Sequence, residues 1–157
     1  MAKRTPATAA LDRAGLTYSV HEYDYDSRAD RIGLHAAQCL GVPPEIVLKT
    51  LVATVDRKPV CVLVPSNAEV SMKRLAGAFG GRSAQMSPPA QAERITGYRV
   101  GGISPFGQRR PLPTVIDESA LEQEAVFLNG GQRGLQLRLS PKDAAAALNA
   151  KAAKVIV

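Results

Sequence analysis

Tryptophan is absent from this 157-residue sequence, and only three phenylalanines and four tyrosines are present. That leaves little for stacking unpaired bases along a single strand. Cysteine and histidine are as scarce, at two each. Cys39 and Cys61 are too far apart for a Cys-x-x-Cys metal or redox motif, and with His21 and His35 they form none of the paired ligand sets of a structural zinc. No metal and no cofactor is expected, and both cysteines are read as reduced, small packing residues. No apolar run approaches the ~18–20 residues of a membrane span: Leu48 to Val55 and Val60 to Pro65 are the longest, and charge or proline interrupts both. In Met1 to Arg13 the alanines are broken by Asp12 and Arg13, so no secretory signal is read and a cytoplasmic location is expected. There is no run of five like charges, no internal repeat and no low-complexity linker.

With 45% hydrophobic and 22% charged residues the chain has the composition of an ordinary globular protein, and its length suits one domain spanning 1–157. Lys and Arg total 20 against 14 for Asp and Glu, a net charge of +6. That excess favours a polyanionic partner, and the lack of aromatics means nucleic acid would be gripped by its phosphates. Lys73, Arg74, Arg109 and Arg110 are candidate phosphate contacts.

The first element is a helix: Thr5 can cap it, Pro6 suits its first position and Gly15 a left-handed stop. Tyr18 to Tyr23 alternates as a strand, Asp24 to Arg31 is a polar loop, and a short helix from about Leu34 to Leu40 ends at Gly41. Val47 to Val55 and Val60 to Val64 form a buried hairpin at the centre of the sheet. Ser71 caps a helix to about Phe79, and Ser87 with Pro88 opens another to about Ile95. Strands follow at Pro113 to Asp117, Ala125 to Leu128 and Leu135 to Leu139, the last two joined through Asn129-Gly130, a tight-hairpin signal. Ser140 caps a last helix, and Lys154 to Val157 returns as an edge strand. The order is mixed rather than strictly alternating, so an α/β domain with a mixed sheet is expected, not a doubly wound parallel one.

Three places could carry chemistry. In an extended Val47 to Ala53 the side chains of 47, 49, 51 and 53 share a face, so Lys49 lies on an apolar stripe; it either snorkels to water from a strand end or points into a pocket. The segment Gly97-Tyr98-Arg99-Val100-Gly101-Gly102-Ile103-Ser104-Pro105-Phe106-Gly107 is glycine-rich. It is either a long surface turn or a loop that brings backbone N–H groups to a ligand, and it lacks the spacing of phosphate or dinucleotide loops. The stretch Asn129-Gly130-Gly131-Gln132-Arg133-Gly134 reads as a plain hairpin or as a second close backbone approach. No Ser-His-Asp set can be assembled, Cys39 has no obvious base beside it, and His35 reads as a helix-surface residue. An enzyme of this sequence would work without an orthodox side-chain nucleophile.

Together these pieces, in this order and with Leu112-Pro113-Thr114-Val115-Ile116-Asp117 after the loop, resemble the YbaK-type family of free-standing aminoacyl-tRNA deacylases, related to the editing insertion domain of bacterial prolyl-tRNA synthetase. The resemblance runs from about Thr5 to the C-terminus. It implies a single α/β (α+β) domain with a mixed, strongly curved sheet. It also implies hydrolysis of the ester in mischarged tRNA, chiefly cysteinyl-tRNA(Pro), with prolyl-tRNA synthetase as a possible partner. Pockets reject slightly smaller ligands by only ~1–3 kcal/mol, so a synthetase for proline needs a second hydrolytic site against cysteine and alanine.

In that resemblance Lys49 holds the phosphate or ribose of the terminal adenosine. Gly101 and Gly102, with Ile103, Ser104 and Pro105, place backbone groups around the ester, while Tyr23, Ile32, Thr50, Asn129, Gly130 and Gly131 line the aminoacyl pocket. The substrate's own thiol attacks the ester carbonyl, the protein supplying orientation and oxyanion stabilisation. Ile32 stands where relatives often carry an aromatic residue and Asn129 where they carry serine, both beside the amino acid. Two alternatives stay open: an alanyl-tRNA deacylase that uses a bound water, and a module that binds tRNA or the synthetase without cleaving anything.

Overall fold

Asp56 and Arg57, both at positive φ (49° and 70°), close a tight hairpin between β2 (Leu48–Val55) and β3 (Lys58–Pro65), which pair antiparallel along their full length. The Asp56 carboxylate accepts from the backbone N–H groups of Arg82 and Ser83, which hold it below the usual carboxylate range. The structure, a computed structural model, describes residues 4–26 and 32–157, and of Ile32 the backbone alone. The other elements are α1 (Pro6–Ala14), β1 (Ser19–Glu22), α2 (Ile32–Leu40), α3 (Met72–Ala78), β4 (Ala84–Met86), α4 (Pro89–Thr96), β5 (Thr114–Asp117), β6 (Val126–Asn129), β7 (Leu135–Leu139), α5 (Pro141–Leu148) and β8 (Lys151–Ala153). Short 3₁₀ turns occupy Pro44–Ile46 and Glu118–Glu122.

Most elements begin and end where the sequence places them. Thr5 caps α1 reciprocally with Thr8, Gly15 ends it at φ 72°, and Ser71 and Ser140 cap α3 and α5 through their hydroxyls. Several elements differ: β4 (Ala84–Met86) has no counterpart in the sequence reading, and α2 starts at Ile32, two residues before Leu34. Pro88, not Ser87, precedes α4, and no side-chain hydroxyl caps that helix. The returning C-terminal strand is β8 at Lys151–Ala153, with only an isolated bridge from Ile156 to Val70 beyond it. Asn129-Gly130 is not a two-residue turn: Asn129 still belongs to β6, left-handed backbone occurs at Gly131 and Gly134 instead, and the Asn129 Oδ1 accepts from the Gly131 N–H.

The strands divide between two sheets, an antiparallel β1-β7-β6 and a mixed β4-β2-β3-β5-β8. In the second, β2–β3 is antiparallel while β3–β5 and β5–β8 are parallel. The mixed sheet and α+β architecture are as expected, but one strongly curved sheet is not what forms: the sheets are open and end on edge strands. The reason lies on one edge of β2. Because β3 fills the other edge, β6 and β4 must share this one. β6 touches it at the parallel bridge Val47–Phe127, and β4 pairs only from Ala53. Between Val47 and the Val52 carbonyl, which the Ser87 N–H reaches, no strand pairs with this edge of β2.

Burial follows the strand alternation. Leu48, Val52, Cys61, Leu63 and Ile116 pack with Leu128 and Leu137 of the small sheet, beneath α1 and α5. On the opposite face Ala53, Val60, Val62, Val64 and Val115 pack under Leu75 and Ala76 of α3. Phe127 and Val47 pack with Ala36 and Ala37 of α2, which closes the outer face of the small sheet. Of the cysteines, Cys61 is a core residue at 1% exposure, whereas Cys39 is exposed, so only one is a packing residue. Among the described residues no helix is long and apolar enough to cross a membrane.

Candidate functional site

The unpaired edge of β2 is the floor of a cleft of about 520 Å³. Running along a strand edge, the cleft meets side chains from both strand faces: Lys49 and Leu51 from one, Leu48, Thr50 and Val52 from the other. One wall comes from the glycine-rich loop, with Val100, Gly101 and Ile103, and from the small sheet, with Asn129 and its cross-strand partner Gln136. The facing wall is Met86, Ser87, Pro89 and Ala92, held against the strand by the Ser87 N–H donating to the Val52 carbonyl at 3.1 Å. Gly33 and Ser66 close one end, where a Cβ on Gly33 would lie 2.7 Å from the Ser66 Cβ.

The glycine-rich loop is tied down at several points. Asn129 Nδ2 donates to the Gly101 carbonyl at 3.1 Å, and Asn129 Oδ1 accepts from the Gly131 N–H at 2.7 Å, so one amide joins the loop to the hairpin. Arg133 Nε donates to the Val100 carbonyl at 3.0 Å, and Glu93 accepts from the Val100 N–H at 2.9 Å. Gly101 sits at φ +91°, and a Cβ there would lie 2.6 Å from the Tyr25 hydroxyl; one on Gly102 would lie 2.8 Å from the Arg133 backbone nitrogen. Both glycines are therefore required by close approach, and Gly101 by its backbone conformation as well. Further along, Tyr98 donates its hydroxyl to the Phe106 carbonyl at 2.6 Å, and burial pushes that phenol up to about 12.

Three residues that line the cleft, Thr50, Ser87 and Gln136, carry a buried polar atom without a partner, and Tyr23 does so outside the lining. Thr50 Oγ1, Ser87 Oγ, Gln136 Oε1 and the Tyr23 hydroxyl are buried and make no hydrogen bond among the described residues. Burial raises the Tyr23 phenol; the Gln136 amide tempers that shift, but its approach falls short of a hydrogen bond. Such atoms cost stability unless a ligand or water satisfies them. Lys49 and Glu69 bring the ionised side chains among the described lining residues. Neither histidine nor cysteine lines the cleft among the described residues. Cys61 is buried and its thiol is pushed up to about 12 by desolvation. Cys39 does have an imidazole beside it, His35 Nε2 at 3.5 Å one helical turn away, but the pair lies on α2 and does not line the cleft.

Of the residues singled out from sequence, Lys49, Thr50, Gly101, Ile103 and Asn129 come together in the cleft. Gly102 and Gly131 instead border a neighbouring depression on the other side of the loop. Ser104 and Pro105 are buried behind the loop, where Ser104 Oγ accepts from the Phe106 N–H and its carbonyl from Gln108 Nε2. The Gly130 carbonyl accepts from the Thr5 hydroxyl, which moors the hairpin to the start of α1. Tyr23 stands edge-on to His35 behind Gln136, and the side chain of Ile32, like residues 27–31 of the polar loop, lies outside the described residues. Of the candidate phosphate contacts, Arg74 is spent on the Ile156 carbonyl. Sequence reasoning missed Ser66, Ser87 and Gln136. The one available signal was Gln136 itself, a polar residue on the strand face opposite Leu135 and Leu137 in a stretch where packing was expected.

Comparison with known proteins gives consistent results. A family model described as "Aminoacyl-tRNA editing domain" matches residues 33–147. A protein of Enterococcus faecalis named as a Cys-tRNA(Pro)/Cys-tRNA(Cys) deacylase, EbsC, is 31% identical over 98% of this chain and 93% of its own length. A proline–tRNA ligase of Nitratidesulfovibrio vulgaris is 31% identical over 60% of this chain, a match that takes in 16% of the ligase. A crystal structure described as a trans-editing enzyme for prolyl tRNA synthetase superposes with a TM-score of 0.85, at 25% identity over 99% of both chains.

Proposed function

The chain belongs to the aminoacyl-tRNA editing domain family, and from that premise we propose that it is a deacylase acting in trans on mischarged tRNA, foremost Cys-tRNA(Pro). The observation that carries this reading is the make-up of the cleft: neutral amides and hydroxyls, tethered backbone, and Lys49 and Glu69 as its charges, with no imidazole or thiol among the described lining residues. Such a site orients and polarises an ester, and the nucleophile arrives with the substrate. Lys49 engages the terminal adenosine, the tethered loop at Gly101 flanks the ester, and Asn129, Gln136 and Thr50 surround the amino acid. In the reaction the cysteine sulfur bonds to the ester carbonyl carbon, the carbon–oxygen bond to the ribose breaks, and the thiol proton ends on the ribose oxygen. Free tRNA and a cyclic thiolactone result. The partner implied is tRNA(Pro), charged in error by prolyl-tRNA synthetase.

The unpartnered Thr50, Ser87 and Gln136 atoms favour a second reading, in which they seat a water that attacks Ala-tRNA(Pro). One experiment separates the readings: tRNA(Pro) charged in turn with cysteine, alanine and proline is incubated with the purified protein and the surviving ester is counted. Loss of the cysteine ester with thiolactone as product is expected. Release of free alanine establishes the water-dependent reaction, and three intact esters reduce the protein to a binding module.

A further inference from the structure

We propose that the depression on the far side of the glycine-rich loop, flanked by Arg99, Arg109 and Arg133, is a phosphodiester site that holds the 3′-terminal strand of the tRNA whose ester occupies the cleft. The proposal rests on the editing reading above. The depression, about 290 Å³, is lined by Arg99 and Arg133 with Tyr98 and the glycine backbone of Gly97, Gly102 and Gly131. Arg109 borders it, since a Cβ on Gly97 would lie 3.4 Å from the Arg109 Cβ and 3.5 Å from its Nε.

Position is the first argument. Gly101 lines the cleft and Gly102 the depression, so the two sites lie on either side of a single peptide unit. A nucleoside whose ribose ester sits at Gly101 carries its 5′ phosphate one sugar away, on the side from which the rest of the strand must leave. Charge is the second. Arginines border the depression and no carboxylate lines it among the described residues; the nearby Glu93 carboxylate accepts from the Val100 N–H.

Preorganisation is the third. Arg133 is held by Nε donating to the Val100 carbonyl at 3.0 Å and by its guanidinium lying 5.2 Å from the Tyr25 ring centroid. Its other guanidinium donors, and all those of Arg99, make no hydrogen bond among the described residues. A fixed guanidinium with paired donors suits a phosphate's geometry at little entropic cost. Base stacking is not offered here, because Tyr98 is buried and its hydroxyl is tied to Phe106. The site reads backbone rather than sequence.

The test compares two substrates, Cys-tRNA(Pro) and the cysteinyl ester of adenosine, which lacks the 5′ phosphodiester. For Arg99→Gln and for Arg133→Gln, kcat/KM on the tRNA relative to that on the adenosine ester is expected to fall about tenfold, the scale of one lost charge-assisted contact. An unchanged ratio overturns the proposal, including the case where both substrates slow equally because the loop is disturbed. If the unaltered protein cleaves neither substrate, the editing reading fails and binding of uncharged tRNA decides the site by itself. Its log–log salt slope becomes shallower by about 0.7 for each arginine replaced if the site holds phosphate, and an unaltered slope overturns the proposal.

Discussion

Asn129 and Gly101, far apart in sequence, meet through a 3.1 Å hydrogen bond from the Asn129 amide to the Gly101 carbonyl, while the same side chain accepts from the Gly131 N–H. The relationship sets the position of the loop against the cleft. Asn129→Ala leaves both backbone groups to find other partners, and we expect a loss of about 1–2 kcal/mol in denaturant unfolding. A larger fractional fall in kcat than in stability is expected, because the loop is displaced before the fold is lost. Equal kcat in mutant and parent removes the loop from the mechanism.

Gly101→Ala places a methyl group 2.6 Å from the Tyr25 hydroxyl at a backbone φ of +91°. Deacylation is expected to drop at least tenfold. Adding Tyr25→Phe removes the oxygen and restores part of the activity, but not all, since the left-handed φ still costs about 1 kcal/mol for alanine. Full recovery in the double mutant would mean that the clash alone mattered.

Thr50→Val and Gln136→Met each replace a buried, unpartnered polar atom with an apolar one of similar size. Thermal stability is expected to hold or to rise by up to about 1 kcal/mol while activity falls, the opposition between stability and function that an active wall produces. Lys49→Ala is expected to abolish deacylation with an unaltered circular dichroism spectrum. Full activity in that variant would remove Lys49 from the site.

The Cys61 thiol, raised by burial from an ordinary 9 to about 12, binds its proton more tightly in the folded than in the unfolded chain. Above pH 9 the unfolded chain loses that proton first, so the folded state's advantage shrinks as pH rises from 9 towards 12, by at most about 1.4 kcal/mol per pH unit from this group. Tyr98, raised from 10 to about 12, adds to the loss in the same direction from pH 10 upward. Cys61→Ala should flatten the alkaline limb of a stability–pH curve. A thiol reagent at pH 8 should modify exposed Cys39 in the native protein and Cys61 only after unfolding.

Local chemistry made much of this protein legible from its sequence. Thr5, Ser71, Ser140 and Gly15 mark helix ends because capping depends on neighbours within a turn, and the β2–β3 hairpin follows from alternation and a short polar turn. Lys49 and Gly101 could be singled out because a lysine on an apolar stripe and clustered glycines are anomalies visible in one dimension, whereas Asn129 enters as a pocket residue through the family resemblance. What the tertiary structure alone decided is how those residues meet. Whether β2 is covered along its second edge depends on where β4 and β6 touch it, at Ala53 and Val47, and that left the sheets open instead of one curved sheet. Ser87 looked like a helix cap because Ser-Pro usually is one, yet Pro88 precedes the helix and the Ser87 hydroxyl is buried without a partner, while its N–H is drawn to the Val52 carbonyl of a strand remote in sequence. Gln136 and the division of Gly101 and Gly102 between two recesses follow from register and loop packing, which are properties of pairs of distant segments. Sequence periodicity specifies which side of an element is buried, and only the assembled fold specifies against what.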